Sequence, residues 1–418
     1  MSRRSMKVRG IVLTSFVGAA VLALSACTPP LPPDVLAAQA EAQIVCQAGE
    51  TQVSVPETLT GAMDAVGLAL GGVCPEQTVL EVPSDQAAGI ALVDKTPTPD
   101  DIASWDAANC PTGETIVIPA FAYPVTLAYN VIGLEGVVMT PEIVAGILTG
   151  TITSWEDPAI LAANEGFDFT ALPPFTVMSV ETPQGSVEAM TSWLTQEAPE
   201  AWTAGVVGTI DGSQTFPTAT DMIAEMIAIE SSIAVLPVYQ AFNNVLPMAN
   251  LPVTLEDGSE LVITSDDVQL YKVGSGATTI TTDEATGSIF ASPATGGVPV
   301  EGNFDLASSK IVLGEGAPLV GWPVLGYAHL LVCNDPADPL GLSFAQYLVR
   351  LAGQGALETY GVTPLPEPIR IQTFAPLKVT VQLNEDGTLP SAAPSADASA
   401  EPAADASAEP AAESSPAP

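Results

Sequence analysis

Cysteine is the residue with the widest chemistry in this 418-residue sequence, since its thiol takes lipid, forms disulfides and binds metals. The five cysteines are Cys27, Cys46, Cys74, Cys110 and Cys333. Cys27 closes the segment Leu24-Ser25-Ala26-Cys27, which has the small residues and the cysteine of a lipoprotein processing site. The segment predicts a diacylglyceryl anchor on Cys27, because two or more acyl chains together hold a protein stably at a membrane.

Residues 1–26 have the composition of a secretory signal peptide. A basic start is followed by an apolar run from Ile11 to Leu24, which is shorter than the roughly 20 residues that span a bilayer. We therefore predict a bacterial lipoprotein on the extracytoplasmic face of the cell membrane, in contact with the membrane through its lipid alone. The alternative is an ordinary cleaved leader followed by a coincidental cysteine.

The charge balance excludes one class of partner. The sequence has 48 acidic and 10 basic residues, and four of the bases precede Cys27. The mature chain therefore keeps six bases against 48 acids, a balance of −42. Nucleic-acid binding needs clustered lysine and arginine, so no nucleic-acid partner is expected. An acidic surface of this kind keeps a tethered protein soluble.

The other four cysteines are expected to form two disulfides, because their number is even and the chain is exported. Three connectivities are open, and we prefer Cys46–Cys74 with Cys110–Cys333. No two cysteines have the C-x-x-C spacing of a zinc site, and His329 is the sole histidine, which disfavours a zinc site and a histidine-based triad. We predict no metal, no cofactor and no enzymatic activity.

The two ends of the mature chain have low-complexity sequences. Residues 27–39 form a lipidated stalk that contains Thr28-Pro-Pro-Leu-Pro-Pro33, and proline-rich segments are stiff. The eight-residue unit DASAEPAA occurs at Asp397–Ala404 and again at Asp405–Ala412. We predict that residues 385–418 are a disordered tail, because they have too few large apolar residues to build a core. Two roles for this tail remain open: it is an inert solubilising segment, or it threads the cell wall.

Short apolar runs alternate with helical patterns in the remaining body, which indicates an α/β architecture. Prolines 119 and 124 divide Thr115–Asn130 into two predicted strands. Thr140-Pro141 predicts the start of a helix, and Gly150 is its predicted end. The segment from Met222 to Ile227 predicts another helix. A strand is predicted over Ser232–Val238 and a further one over Tyr327–Val332. Ser343 is predicted to cap a late helix that stops at Gly353.

Four stretches between about Ile90 and Pro366 resemble the phosphate-binding lipoproteins of ABC transporters, the PstS type. The most specific runs from Ile147-Leu-Thr-Gly-Thr-Ile-Thr-Ser-Trp155 through Asp157-Pro-Ala-Ile160. The others are Val125–Gly133, Phe175–Leu194, and the closing pair Trp322–Val324 and Tyr360–Pro366.

This resemblance implies a type II periplasmic-binding-protein fold, which has two α/β lobes joined by two crossing hinge strands. The lobes close over a ligand by a hinge motion. By analogy, lobe 1 takes residues 40–129 and 323–384, and lobe 2 takes residues 130–322. Cys110 and Cys333 then fall in the same lobe. The implied ligand is phosphate or a related oxyanion, and the implied partner is an ABC permease.

The family binds its anion with amides and hydroxyls at a helix start, where the helix dipole favours negative charge. The family's Arg-x-Asp-Gly-Ser-Gly-Thr loop corresponds to Val180–Ser186, so Gln184, Gly185 and Ser186 become candidate ligand-binding residues. Val180 replaces the family's arginine, which removes a charge-assisted hydrogen bond. Alternatively, Thr182-Pro183 starts the helix three residues early, which would leave fewer free amides in the cleft.

Asp94 corresponds to the family aspartate that accepts the proton of the bound anion. Such an acceptor-only carboxylate rejects an anion without a proton, such as sulfate. The alternative role for Asp94 is to cap the turn before Thr96-Pro97. In the first phosphate loop, within Ser54–Ala62, no residue can be assigned. The sequence therefore predicts a solute-binding lipoprotein of an ABC importer; the alternative is a scaffold that has lost phosphate and serves another solute or a surface interaction.

Overall fold

A computed structural model describes residues 39–254, 260–264, 278–293, 303–305, 310–312, 322–335 and 337–379. The signal peptide, Cys27, the stalk as far as residue 38 and the tail 385–418 lie outside these residues. Among the described residues, no helix combines the length and the apolarity needed to cross a bilayer.

The described elements alternate between strands and helices for most of the chain. The helices are Ala62–Val73 (α1), Pro99–Asn109 (α2), Pro141–Leu148 (α3), Pro158–Ala163 (α4), Gly185–Glu197 (α5), Ala219–Ala228 (α6), Val238–Asn243 (α7), Leu340–Leu348 (α8), Leu351–Tyr360 (α9) and Glu367–Gln372 (α10). The strands are Gly49–Val55 (β1), Gln77–Pro83 (β2), Ile90–Val93 (β3), Glu114–Tyr129 (β4), Thr176–Val180 (β5), Gln214–Phe216 (β6), Ser232–Pro237 (β7), Leu251–Thr254 (β8), Glu260–Ile263 (β9), Thr278–Thr282 (β10), Ile289–Pro293 (β11), Asn303–Asp305 (β12), Lys310–Val312 (β13) and Leu325–Asn334 (β14).

One eight-stranded sheet, in the order β2-β1-β3-β14-β4-β7-β5-β6, forms the centre of the molecule. In the first lobe, β1 pairs in parallel with β2 and β3, and β14 lies antiparallel to both β3 and β4. In the second lobe, β5 pairs in parallel with β6 and β7. The predicted α/β class and two-lobed architecture are confirmed.

The 16-residue strand β4 joins the two lobes. Residues 114–124 pair with β14 in the first lobe, and residues 125–129 pair with β7 in the second. Close to this passage, the Val125 amide donates to the Val324 carbonyl at 2.9 Å, and the Trp322 indole donates to the Val125 carbonyl at 2.7 Å. These residues form the crossing between the lobes. The lobe boundaries given above remain a prediction.

The prediction that two prolines divide residues 115–130 into two strands is wrong. Pro119 lies beside the register shift between Ala328 and His329 of β14, a β-bulge. Proline lacks an N–H, so a bulge is one of the places where a strand tolerates it. Pro124 lies next to Val125, where the strand leaves one sheet partner for the other.

Helix boundaries agree with the sequence where a side chain caps a free amide. Thr140 accepts a hydrogen bond from the Ile143 amide at 3.4 Å, and α3 starts at Pro141 as predicted. The predicted cap at Ser343 is wrong, because α8 starts at Leu340. The Ser343 hydroxyl instead donates to the Val45 carbonyl at 2.8 Å. Gly353, the predicted stop, lies inside α9.

Both disulfides lie in the first lobe. Cys46 bonds to Cys74 and Cys110 bonds to Cys333, with Cα–Cα distances of 5.4 and 5.3 Å. This pairing is the one preferred on sequence grounds. The second bridge ties the end of α2 to β14 across 223 residues of sequence.

The hairpin β10–β11 packs on the first lobe, although in sequence it lies between the second-lobe strands and β14. Ala291 of the hairpin belongs to a buried cluster with Ala122, Leu325 and Tyr327. The buried His329 imidazole fixes the hairpin, because its Nε2 accepts a hydrogen bond from the Ala291 amide at 3.0 Å. The other ring nitrogen lies 3.0 Å from the Lys95 carbonyl oxygen and donates to it.

Candidate functional site

The candidate site lies where the carboxyl ends of strands from both lobes meet, as in open α/β folds generally. Asp94 directly follows β3 of the first lobe. Gly185 starts α5, which follows β5 of the second lobe. The amide N–H of Gly185 donates to Asp94 Oδ2 at 3.2 Å. Two of the residues assigned by resemblance are therefore in direct contact across the cleft.

Asp94 has partners in both lobes. Besides the Gly185 amide, its Oδ2 accepts a hydrogen bond from the Thr58 hydroxyl at 3.0 Å. The Tyr123 hydroxyl donates to the backbone carbonyl of Asp94. Burial between the lobes raises the pKa of the Asp94 carboxyl, and the bonds from Gly185 and Thr58 oppose that rise. The side chain therefore acts as more than a turn cap, because it also bonds to the second lobe.

The absence of a side chain at Gly185 permits this contact. A Cβ at this position would lie 1.8 Å from the Asp94 carbonyl oxygen and 2.7 Å from the Tyr123 hydroxyl. Glycine is the residue that allows such a close approach of two backbones.

The helix begins at Gly185, so the alternative start at Thr182-Pro183 is wrong. Gln184 is the N-cap, with an extended backbone at φ −116° and ψ 136°. Its amide donates to the Gly208 carbonyl at 2.9 Å. Its side-chain Nε2 donates to the Thr182 carbonyl at 3.1 Å. In this conformation the Gln184 side chain is therefore engaged in its own loop.

One cavity that the described residues enclose beside the site is small. A cavity of about 10 Å³ is lined by residues that include Thr58, Gln184, Ser186 and Gln240. That volume holds about one water molecule. A solute with several heavy atoms therefore requires the lobes to separate.

Acidic groups dominate the surroundings of the site. Lys95 Nζ lies 3.7 Å from Asp101 Oδ2 and 4.0 Å from Glu188 Oε1. Burial raises the pKa of the Glu188 carboxyl; Lys95 lowers it, and Asp94 raises it further. Two carboxyls with raised pKa values, those of Asp94 and Glu188, therefore lie beside Lys95 at this site.

The arginine side chains of the described residues are engaged in the first lobe. Arg370 forms ion pairs of 2.7 Å with Glu41 and with Glu367, and it is 3% exposed. Arg350, also buried, donates to the Gln43 carbonyl at 2.7 Å. Both arginines hold the start of the described chain against the first lobe and leave no guanidinium for the cleft.

The most specific part of the family-like sequence builds the core of the second lobe. The buried Trp155 indole donates to the Ser231 hydroxyl at 2.9 Å. Its ring makes edge contacts with Tyr129 and Phe175 and stacks on Phe169, with centroid distances of 5.3, 4.8 and 5.8 Å. Asp157, two residues later, caps α4. The residues of this motif therefore pack the second lobe and cap one of its helices.

A larger depression of about 280 Å³ lies at the opposite end of β3, beside Cys333. Its lining includes Glu50, Asp335 and Asp338 and no lysine or arginine, so it is unsuited to an anion. Among the described residues, no three His, Cys, Asp or Glu side chains are placed to hold a metal ion.

Sequence reasoning missed Thr58, Tyr123 and Gln240 at the site. Thr58 lies within the stretch 54–62 that was expected to contain a ligand loop, but nothing in the local pattern distinguishes it from its neighbours. Tyr123 and Gln240 come close to the site only through the crossing strand and through the packing of α7.

Comparisons with known proteins agree with the fold. No protein-family model matches the sequence. The phosphate-binding protein PstS 3 of Mycobacterium leprae is 28% identical over 149 residues, 33% of this chain and 40% of that protein. PstS 2 of Mycobacterium tuberculosis is 30% identical over 95 residues, 23% of this chain and 25% of that protein. The chain therefore matches less than half the length of these relatives.

Solved structures share the fold at low identity. The crystal structure of a DING protein has 15% identity and a TM-score of 0.53, covering 78% of this chain and 94% of that one. The ancestral soluble variant of the human phosphate-binding protein has 14% identity and a TM-score of 0.53, with 78% and 93% coverage. A high-affinity periplasmic phosphate-binding protein, PfluDING, has 13% identity and a TM-score of 0.52, also with 78% and 93% coverage.

Proposed function

We propose that this chain, whose fold is that of the PstS-type phosphate-binding proteins, is an extracytoplasmic solute-binding lipoprotein that delivers hydrogenphosphate or a related protonated oxyanion to an ABC permease. The observation that carries the proposal is the meeting of Asp94, Thr58 and the Gly185 amide between the two lobes. Cys27 supplies the lipid anchor, which mass spectrometry of the Cys27 peptide tests directly.

The chemistry follows from the donors and acceptors of the opened cleft. When the lobes separate, the Gly185 amide is released to donate to an anion at the start of α5, where the helix dipole adds attraction. The Asp94 carboxylate then accepts the proton of the bound anion. Sulfate has no such proton, so its oxygens would face the carboxylate with repulsion alone.

Isothermal titration calorimetry of the phosphate-free protein tests this function. Phosphate at micromolar concentration should give saturable heat, and sulfate should give none. Asp94→Asn should weaken phosphate binding by about 10- to 100-fold, because a hydrogen bond to a charged group contributes about 1.5–3 kcal/mol. Asp100→Asn, an exposed first-lobe aspartate, should bind as the wild type does. Folded wild-type protein that gives no heat with phosphate would refute the proposal.

A second candidate is a scaffold that has abandoned phosphate for another solute or a surface interaction. Val180 in place of the family arginine and the engagement of Asp94 with Gly185 favour it. A thermal-shift screen over anions, sugars and amino acids separates the two candidates. A shift with phosphate alone rules out the second, and a shift with a neutral or cationic solute alone rules out the first.

A further inference from the structure

Glu57 reaches across the cleft to a helix of the other lobe. It lies in the short 3-10 turn Glu57–Leu59 that follows β1 of the first lobe. Its carboxylate accepts hydrogen bonds from the amides of Ala219 and Thr220, each at 3.0 Å, and from the Thr220 hydroxyl. These residues start α6, which packs on β5, β6 and β7 of the second lobe.

The carboxylate completes the cap of that helix. The first amides of a helix have no partner within it and carry a partial positive charge. Thr218, from the second lobe itself, caps the Asp221 amide at 3.0 Å. Glu57 accepts hydrogen bonds from the two preceding amides, those of Ala219 and Thr220. These two amides therefore have a protein acceptor when the first lobe lies against α6, and water takes its place when the lobes are apart.

Glu57 makes more hydrogen bonds across the cleft than Asp94 or Gln240 does. Asp94 accepts one from the Gly185 amide at 3.2 Å, and Gln240 donates one to the Thr58 carbonyl at 3.4 Å. These contacts are polar and partly open to solvent, so each contributes modestly and the lobes can separate. Other contacts also join the lobes in this closed form, among them the Tyr239 and Tyr360 rings at 5.0 Å and the Lys95–Glu188 ion pair at 4.0 Å.

We propose that Glu57 is a cross-lobe latch that stabilises the closed form, a role beside that of its neighbour Thr58, which bonds to Asp94 in the proposed ligand site. The carboxylate supplies charge-assisted hydrogen bonds at the start of α6, which water alone does not supply when the lobes are apart. If a solute enters only the open form, the apparent association constant equals the intrinsic one multiplied by the fraction of open molecules, so the latch lowers the apparent affinity by reducing that fraction.

Double electron–electron resonance on phosphate-free protein tests the latch independently of the bound solute. Spin labels on non-canonical residues at Ala162 and Glu358, both exposed and in different lobes, leave the disulfides intact. Loss of one capping interaction of about 1 kcal/mol should raise the ratio of open to closed molecules about fivefold in Glu57→Ala. Glu57→Gln, which keeps the shape and one acceptor oxygen, should have a smaller effect in the same direction.

Thr218→Ala is the matched control, because it removes a side-chain cap from the same helix end within one lobe. It should lower the melting temperature and leave the distance distribution unchanged. The proposal is overturned if Glu57→Ala and Glu57→Gln, folded by circular dichroism, both keep the wild-type distribution. It is equally overturned if Thr218→Ala opens the lobes as much as Glu57→Ala.

Discussion

Single residues at the cleft determine how closely the lobes approach. At Gly185 the lobes approach so closely that a methyl group would overlap the Asp94 carbonyl. The same close approach allows the Gly185 amide of the second lobe to donate to the Asp94 carboxylate. The carboxylate that should recognise a protonated anion is thus already hydrogen-bonded in the closed form, and a ligand has to replace that bond.

His329 predicts a specific dependence of stability on pH. Burial lowers the pKa of its imidazole to about 4, against the ordinary 6.5. The folded protein keeps the ring neutral while the unfolded chain takes up a proton below about pH 6.5. The free energy of unfolding should therefore fall between pH 6.5 and about pH 4, by up to about 3 kcal/mol from this residue.

Urea unfolding of wild type and His329→Gln at pH 7 and pH 4.5 measures this contribution. The variant should be less stable at pH 7, because the imidazole bonds to Ala291 and Lys95 are lost. The difference in the free energy of unfolding between wild type and variant should be smaller at pH 4.5. Protonation of His329 in the unfolded chain destabilises the wild type there, and glutamine does not titrate. Glu156→Gln, at an exposed position, serves as the control. A difference of equal size at both pH values would contradict this account.

At the scale of elements, Trp155 holds together the strands and loops of the second lobe. It contacts Tyr129 at the end of β4 and the rings of Phe169 and Phe175 before β5. Trp155→Ala should lower the free energy of unfolding by about 3–5 kcal/mol, the usual cost of removing a large buried ring. Chemical denaturation followed by circular dichroism measures the change.

Phe242→Ala provides the comparison for Trp155→Ala, because the Phe242 side chain is 68% exposed. Its effect should stay within about 0.5 kcal/mol, as for other surface substitutions. If Trp155→Ala were no more destabilising than Phe242→Ala, the aromatic cluster would not be the core of the lobe.

The helix starts show which elements a sequence can place. The helix start predicted at Thr140-Pro141 is correct because the cap, the proline and the first turn are neighbours in the chain. The helix cap predicted at Ser343 is wrong because its hydroxyl donates to the Val45 carbonyl, a partner almost 300 residues away in sequence. Gln184 becomes the N-cap of α5 in place of Thr182 because its amide bonds to Gly208. Propensity is a weak prior wherever a distant partner competes.

At the scale of the whole molecule, the two disulfides should differ in their contribution to stability. Cys46–Cys74 closes 28 residues of sequence and Cys110–Cys333 closes 223. The chain-entropy model gives about 4 kcal/mol for the shorter loop and about 5 kcal/mol for the longer one. The double variant Cys110→Ala/Cys333→Ala should therefore melt at a lower temperature than Cys46→Ala/Cys74→Ala.

Each double variant is the control for the other, because both replace a pair of cysteines in the first lobe with the same residue. Differential scanning calorimetry under non-reducing conditions gives the two melting temperatures. The reverse order would show that local packing around Cys46–Cys74 outweighs loop entropy.

The sequence by itself determined the α/β class and the helix at Thr140, because these depend on periodicity and on neighbouring residues. The two-lobed architecture and the candidate stretch that contains Gly185 came from the resemblance to the PstS type. The tertiary structure alone decided that β4 is continuous through two prolines, that Thr58 joins Asp94, and that Glu57 caps α6. The physical reason is common to all three. Each depends on a hydrogen-bond partner in a distant strand or helix, and no local pattern specifies which partner the fold will supply.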